Sequence, residues 1–334
     1  MPFVFDYGEY LGDMHIVKLV AVLRTAAIYE AERGDEEKIL LKVAHDGYHN
    51  RLIREAEFLK HLQTQNIFYP ALPKLLQAYQ EASLEEFPFG TTVFSNRTIY
   101  YSVFEHRDGD ILRNALLKNR QPWYQHAAWI TMSLVDVMAL MHQQGVLNLC
   151  LCPESVMIRT DSEKIPRPLL LDLGAVTTSE DVNDHWHLSY VPAAYVAPEL
   201  LLQPRQVSEE TDTYGLGLIF YEMLAGQPAY AFRLRRETEI LSAIQSNPIP
   251  KLSRPDLETS FLSLVDQTVS RSMRQRPDFP TLYESLSQTF PKLPAEKPPR
   301  RFNWNLLWIV LGVLFIISLL LVTAFVLAEP FTTA

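Results

Sequence analysis

Three groups of side chains in this sequence have the types and spacing to do chemistry. Asp172-Leu173-Gly174 follows the apolar run Leu169–Leu171; a carboxylate at a strand end followed by a flexible glycine can hold Mg²⁺ against phosphates, although D-L-G alone is a common tripeptide. Lys42 closes I-L-L-K, and Glu55 sits in R-E-A-E-F-L. Glu55 falls at i+3 from Leu52 and i−4 from Leu59, on the apolar stripe of a helix, whereas Glu57 is about 200° away around it. Taken singly, Lys42 and Glu55 each read as surface residues. The third group is Cys150-Leu151-Cys152 with His185-Trp186-His187. Two thiols without two further ligands at suitable spacing make a weak metal motif, and their redox chemistry depends on exposure.

Residues 14–44 read as strand, Arg24-Thr25 turn, strand, acidic turn, strand. A helix is predicted over Leu52–Leu62 and strands over Thr91–Phe94 and Thr98–Phe104. After Gly109 the pattern is mostly helical: Asp110–Asn119, Trp123–Gln144, Glu209–Ala225, Glu237–Gln245, Leu257–Arg271 and Phe279–Thr289. Strands first and helices afterwards imply an α+β architecture of two segregated lobes.

The 334 residues carry a net charge of −9, which argues against a nucleic-acid surface. Two cysteines in one loop form no disulfide framework and fit a reducing compartment. Met1–Asp13 lacks the basic region of a signal peptide. Leu306–Ala328 is a run of 23 residues without a charge, long enough as a helix to cross the hydrocarbon core. Trp304 and Trp308 stand where interfacial anchors belong, Lys297, Arg300 and Arg301 lie just upstream, and Glu329 is the one charge beyond. The expectation is a single transmembrane helix at 305–328, a proline-rich basic linker at 291–304, a short extracytoplasmic tail at 329–334, and the remainder on the cytoplasmic side of the cell membrane.

The stretch Met141–Ile158, M-H-Q-Q-G-V-L-N-L-C-L-C-P-E-S-V-M-I, resembles the catalytic loop H-R-D-L-K-P-E-N of protein kinases. Over residues ~8–290 the order of features is similar to that of a bacterial-type serine/threonine protein kinase. The resemblance implies a bilobal fold, with an N-lobe at 1–103 and a C-lobe at 104–290. It assigns Lys42 to the nucleotide's α- and β-phosphates, Glu55 to the ion pair with that lysine, and Asp172 to Mg²⁺. Ala197-Pro198-Glu199 matches A-P-E, Asp212 the aspartate that anchors the catalytic-loop backbone, and Arg276 the arginine that pairs with the A-P-E glutamate. Val103-Phe104-Glu105-His106 resembles the hinge, with Phe104 as gatekeeper.

Against that pattern the working residues depart. Asn148 stands at the family's His, Leu149 at the Arg, Cys150 at the catalytic Asp, Cys152 at the Lys and Ser155 at the Mg²⁺-binding Asn. A neutral thiol near pKa 8.5 is a poor proton acceptor, and losing such a base costs about 10²–10⁴ in rate. Leu19–Ala31 contains no glycine, so a plain hairpin is predicted where backbone N–H groups would approach phosphates; Arg24 is the one residue there with a charge to offer a phosphate. Leu40 lies two residues before Lys42 on the same strand face, at a position that is usually alanine above the adenine ring, and can fill that pocket. Without the arginine at 149, Thr177, Thr178, Ser179 and Ser189 read as ordinary loop hydroxyls. The expectation is a catalytically impaired pseudokinase, a membrane-anchored module for a cytoplasmic or membrane protein partner, with no catalytic residue intact. The alternative is an atypical, weakly active ATP-dependent serine/threonine kinase in which Lys42, Glu55 and Asp172 hold ATP and Mg²⁺.

Overall fold

A computed structural model describes residues 5–34, 37–81, 83–230, 236–296 and 316–324. Residues through Leu293 form one compact unit. Its chain begins with β1 (Tyr10–Leu11), β2 (Met14–Val22), β3 (Ala26–Arg33) and β4 (Glu37–Ala44), then α1 (His49–Thr64). β5 (Leu75–Leu76), β6 (Gly90–Phe94) and β7 (Arg97–Glu105) complete a sheet of order β1-β2-β3-β4-β7-β5, with β6 on β7. The hairpin between β2 and β3 turns in two residues, closed by Leu23 N–H donating to the Ala26 carbonyl at 2.8 Å. The β6–β7 turn places Ser95 and Asn96 at φ 48° and 64°, as two-residue hairpins require.

Alternation along these strands separates two cores. Tyr29, Leu41, Val43 and Val103 pack on one face of the sheet. Ile28, Leu40 and Phe104 pack on the other, which is continuous with the core of the second lobe through Met157 and Leu170.

That lobe contains β8 (Asp110–Ile111), α2 (Leu112–Lys118), α3 (Tyr124–Gln143), β9 (Val156–Thr160), β10 (Pro166–Leu170), α4 (Val182–His185), α5 (Glu209–Ala225), α6 (Glu237–Ser246), α7 (Thr259–Thr268) and α8 (Phe279–Thr289). From Thr211 to Leu224 α5 is buried on all sides: Tyr214–Tyr221 is apolar all round, and the two acids in the buried stretch, Asp212 and Glu222, are hydrogen-bonded. It begins at a Ser208–Thr211 capping box and ends at Gly226, φ +75°. Gly217 lets it approach α7: a Cβ there would meet Thr268 Oγ1 at 2.5 Å.

Two predicted helices are corrected. Asp110 and Ile111 are strand rather than helix, because they pair with Ile158 and Met157 of β9. α7 stops at Thr268, short of Arg271, where the Ser270 and Arg271 carbonyls turn to accept from the Arg276 guanidinium. In the second unit, Pro294–Ala334, residues 316–324 are helical. The rest of the expected 305–328 span lies outside the described residues, and among the described residues no helix is long and apolar enough to cross a membrane.

Candidate active site

Lys42 and Glu55 are 1 % and 2 % exposed, not surface residues. β4 presents Lys42 on the same face as Leu40, and α1 presents Glu55 on its buried stripe with Leu52 and Leu59. Lys42 Nζ lies 2.5 Å from Glu55 Oε2 and 2.9 Å from Asp172 Oδ1, and donates to the Leu171 carbonyl at 3.2 Å. The other Glu55 oxygen accepts from Leu173 N–H at 2.8 Å. The three predicted residues are therefore brought together.

A fourth residue joins them that sequence reasoning missed. Arg51, 3 % exposed, donates through Nη2 to both oxygens of Asp172 at 2.7 Å. Its Nη1 donates to Thr25 Oγ1 at the tip of the β2–β3 hairpin. The one available signal was its position four residues before Glu55 on the same helix face; its partner Asp172 is 121 residues away. Burial pushes the Asp172 carboxyl up, but Arg51 and then Lys42 outweigh it and hold the group well below the usual carboxylate range. Glu55 is shifted the other way, because burial outweighs the attraction of Lys42.

Lys42, Arg51, Glu55 and Asp172 thus form a buried quartet of two cations and two anions whose charges cancel. Phosphates and Mg²⁺ bind where opposite charge is left over, and here none is. Both oxygens of Asp172 face a guanidinium where a metal would stand. Ser155 Oγ donates to the Cys152 carbonyl at 2.7 Å and accepts from Cys152 N–H at 3.3 Å, so it is turned into its own loop. The donor set in this arrangement does not fit Mg²⁺.

The hairpin that would cover phosphates is tied down at three points. Thr25 meets Arg51; His45 N–H donates to the Thr25 carbonyl at 2.9 Å; Arg24 forms an ion pair with Glu237 of α6. Arg24 is thereby directed at a carboxylate rather than at a phosphate position. Leu40 is 1 % exposed and packs in one core with Ala21, Ile28, Phe104 and Met157. Fully burying a leucine contributes about 2 kcal/mol, which a ring entering this space would have to displace.

The catalytic-loop position is held from below by Asp212 on α5. Its carboxylate accepts from Asn148 N–H at 2.9 Å and Leu149 N–H at 2.6 Å, and His142 Nε2 lies 2.9 Å away. Leu149 has φ 59°, a left-handed conformation that costs a non-glycine residue about 1–2 kcal/mol. Asp212 on its N–H and Trp186 Nε1 on its carbonyl, at 3.1 Å, hold it there. Gly174, φ +76°, lies against this loop: a Cβ would meet the Asn148 carbonyl oxygen at 2.2 Å.

Cys150 and Cys152 are both buried and free. Burial pushes the Cys150 thiol up to about 12 and Cys152 well above its ordinary value. His185 faces Thr177 Oγ1 at 3.2 Å and His187 faces Ser189 Oγ at 2.8 Å. Among the described residues, no three His, Cys, Asp or Glu side chains are placed to hold a metal. Thr177 is 2 % exposed and its backbone bridges to Leu147, so it is a core residue rather than a loop hydroxyl.

Glu199 and Arg276 form a buried pair, with Arg276 Nη1 at 2.6 Å and Nη2 at 3.0 Å from the two carboxylate oxygens.

Fold and site together define a protein kinase-like, bilobal α+β domain. The protein kinase domain model matches residues 37–287, more than half of the chain, and the chain belongs to that family. It is similar to mitogen-activated protein kinase 4 of Oryza sativa subsp. japonica, 24 % identical over 234 residues that cover 68 % of this chain and 56 % of that protein. Mitogen-activated protein kinase 2 of Arabidopsis thaliana is 24 % identical over 204 residues, 59 % of this chain and 49 % of that one. Serine/threonine-protein kinase ULK3 of Mus musculus is 27 % identical over 188 residues, 56 % and 38 % respectively. The chain spans about half the length of the relatives it matches. These relatives are plant and rodent proteins, so the resemblance is to eukaryotic kinases rather than to the bacterial-type subdivision expected from the sequence.

Proposed function

We propose that this protein is a pseudokinase: a kinase domain that serves as a regulatory or protein-binding module in place of phosphoryl transfer. The observation that carries the reading is the Arg51 guanidinium on both oxygens of Asp172, 2.7 Å from each. A cationic side chain occupies the position from which a metal would neutralise the nucleotide's phosphates. Three further features support it. Cys150 replaces the base, and a thiol at about 12 accepts no proton near neutrality. The hairpin has no glycine, and Leu40 fills the space beside Lys42.

The full chain with Mg·ATP is expected to show no rise in melting temperature and no transfer of γ-phosphate to a generic protein substrate. Robust turnover would overturn the proposal. Arg51→Ala combined with Leu40→Ala is expected to create Mg²⁺-dependent nucleotide binding, since it removes both occupants of the site.

One observation favours the second reading, a weakly active ATP-dependent serine/threonine kinase: the Lys42–Glu55 pair at 2.5 Å is the arrangement that phosphoryl transfer requires. That reading predicts nucleotide binding by the unaltered chain that Lys42→Ala abolishes.

The apolar run at 306–328 with its flanking Trp304, Trp308, Arg300 and Arg301 supports a module tethered at the cell membrane with its kinase domain in the cytoplasm. Resistance of the chain to alkaline extraction from membranes, with residues 1–290 digested by protease only from the cytoplasmic side, tests the tether and its orientation.

A further inference from the structure

Apart from the interlobe site, the C-lobe carries a cleft of about 590 Å³ built from three segments distant in sequence. Pro198 belongs to A-P-E and Leu202 follows it, Gln245 comes from the end of α6, and Arg271, Met273 and Arg274 from the connection between α7 and α8. None of the quartet residues lines it.

Charge in this cleft is one-sided. Its one acid, Glu199, is bound through both oxygens by Arg276 beneath it. Among the described residues the Arg271 side chain donates to the Gln245 backbone carbonyl alone. Among the described residues neither Arg271 nor Arg274 forms an ion pair with a carboxylate, on a chain whose net charge is −9. Beside them Leu202 is 55 % exposed, and Pro198 and Met273 continue the apolar surface. A guanidinium fork selects carboxylates by paired hydrogen bonds, and methionine adapts to varied apolar shapes. Exposed arginine and apolar side chains in a concavity are the composition of protein-binding anchors.

We propose that this cleft docks an acidic–apolar peptide segment of a protein partner. Carboxylates of that segment engage Arg271 and Arg274, and a leucine- or phenylalanine-type side chain rests on Leu202, Pro198 and Met273. The inference gives the protein-binding reading a surface and a partner chemistry. It rests on residues outside the nucleotide site, so it stands or falls separately from the question of catalysis.

The test uses the full chain in detergent and a fluorescent pool of heptapeptides with glutamate at three fixed positions and leucine or phenylalanine elsewhere. A second pool carries lysine at the same three positions. The acidic pool is expected to bind at least tenfold more tightly than the basic one and to weaken as salt is raised. Arg274→Glu and Leu202→Ser, both at exposed positions, are each expected to weaken binding at least tenfold with an unchanged melting temperature. Arg51→Ala in the interlobe site is expected to leave it unaltered. Failure of the acidic pool to bind, equal binding of the two pools, or binding indifferent to both cleft substitutions would overturn the proposal. Nucleotide turnover by the same preparation would bear only on the pseudokinase reading.

Discussion

Asp172 and Asp212 are two buried aspartates, 5 % and 1 % exposed, that the same loop separates, and their partners differ in kind. Asp212 accepts from the backbone N–H groups of Asn148 and Leu149. Asp172 accepts chiefly from side chains, Arg51 and Lys42. A carboxylate aimed at backbone holds its loop whatever side chains that loop carries. Asn148, Leu149 and Cys150 can therefore replace the family's residues while the loop keeps its place. A carboxylate aimed at side chains is recaptured by whichever cation comes within reach, and one arginine on α1 is enough. The scaffold and the chemistry of this fold are separable because they use different donors.

Removing the backbone anchor is expected to have the largest effect. Asp212→Ala leaves two buried N–H groups and His142 without their partner and releases the left-handed Leu149, a loss of about 3–5 kcal/mol at ~1–3 kcal/mol per orphaned group. Denaturant unfolding measures it; a loss under about 1 kcal/mol would mean that the loop holds itself. Arg51→Met is expected to cost less, about 2–4 kcal/mol, because Asp172 keeps Lys42 as a partner. The same variant should gain a melting-temperature response to Mg²⁺ that the unaltered chain lacks. Loss of stability without that response would show that the guanidinium is not what keeps metal away.

Cys150 sharpens the contrast from the side of reactivity. With its thiol near 12, the thiolate fraction at pH 8 is about 10⁻⁴. Alkylation by iodoacetamide is expected to be at least ~10³-fold slower than for a free thiol and to follow unfolding in denaturant. Rapid labelling in buffer would place an open loop where the structure has a closed one.

The smallest effect concerns the hairpin tip. Burial holds the His45 imidazole below its ordinary 6.5, outweighing the Leu23 carbonyl and Asp46, which act to raise it. A group whose folded pKa is depressed binds fewer protons folded than unfolded, so stability falls as pH drops below about 6.5. Asp172 and Glu30, the latter held to about 2 by Lys18 and His106 against its burial, keep their contributions until far more acid conditions. Burial also holds the His126 imidazole down and the Glu55 and Asp136 carboxyls up, so between pH 7 and pH 5 the share of His45, a loss of up to about 1 kcal/mol, is read as the difference that His45→Gln removes.

Much of this molecule was readable in the residues alone. Apolar spacing gives α5 at Glu209–Ala225 and α8 at Phe279–Thr289 to the residue; Ser208 with Thr211 and Gly226 bound the first, and the Asp278 cap begins the second. The two-residue turn at Arg24-Thr25 was likewise legible from strand patterning. Glu55 was distinguished from Glu57 by helix geometry, since a stripe with Leu52 and Leu59 can face only one way.

What the sequence could not decide was which charges would meet. Nothing in the local sequence marks Arg51, which lies just before the expected helix Leu52–Leu62, and its partners Thr25 and Asp172 lie 26 and 121 residues away. Only packing α1 between the hairpin and the end of β10 brings the guanidinium to that carboxylate, and in a low-dielectric interior proximity outweighs residue type in setting charge state. Thr177 was misread for the same reason: its bridge to Leu147 is a contact between segments that nothing in the local sequence records. Local periodicity determined the elements, whereas long-range electrostatics, which exist only once those elements are packed, decided what the cleft holds.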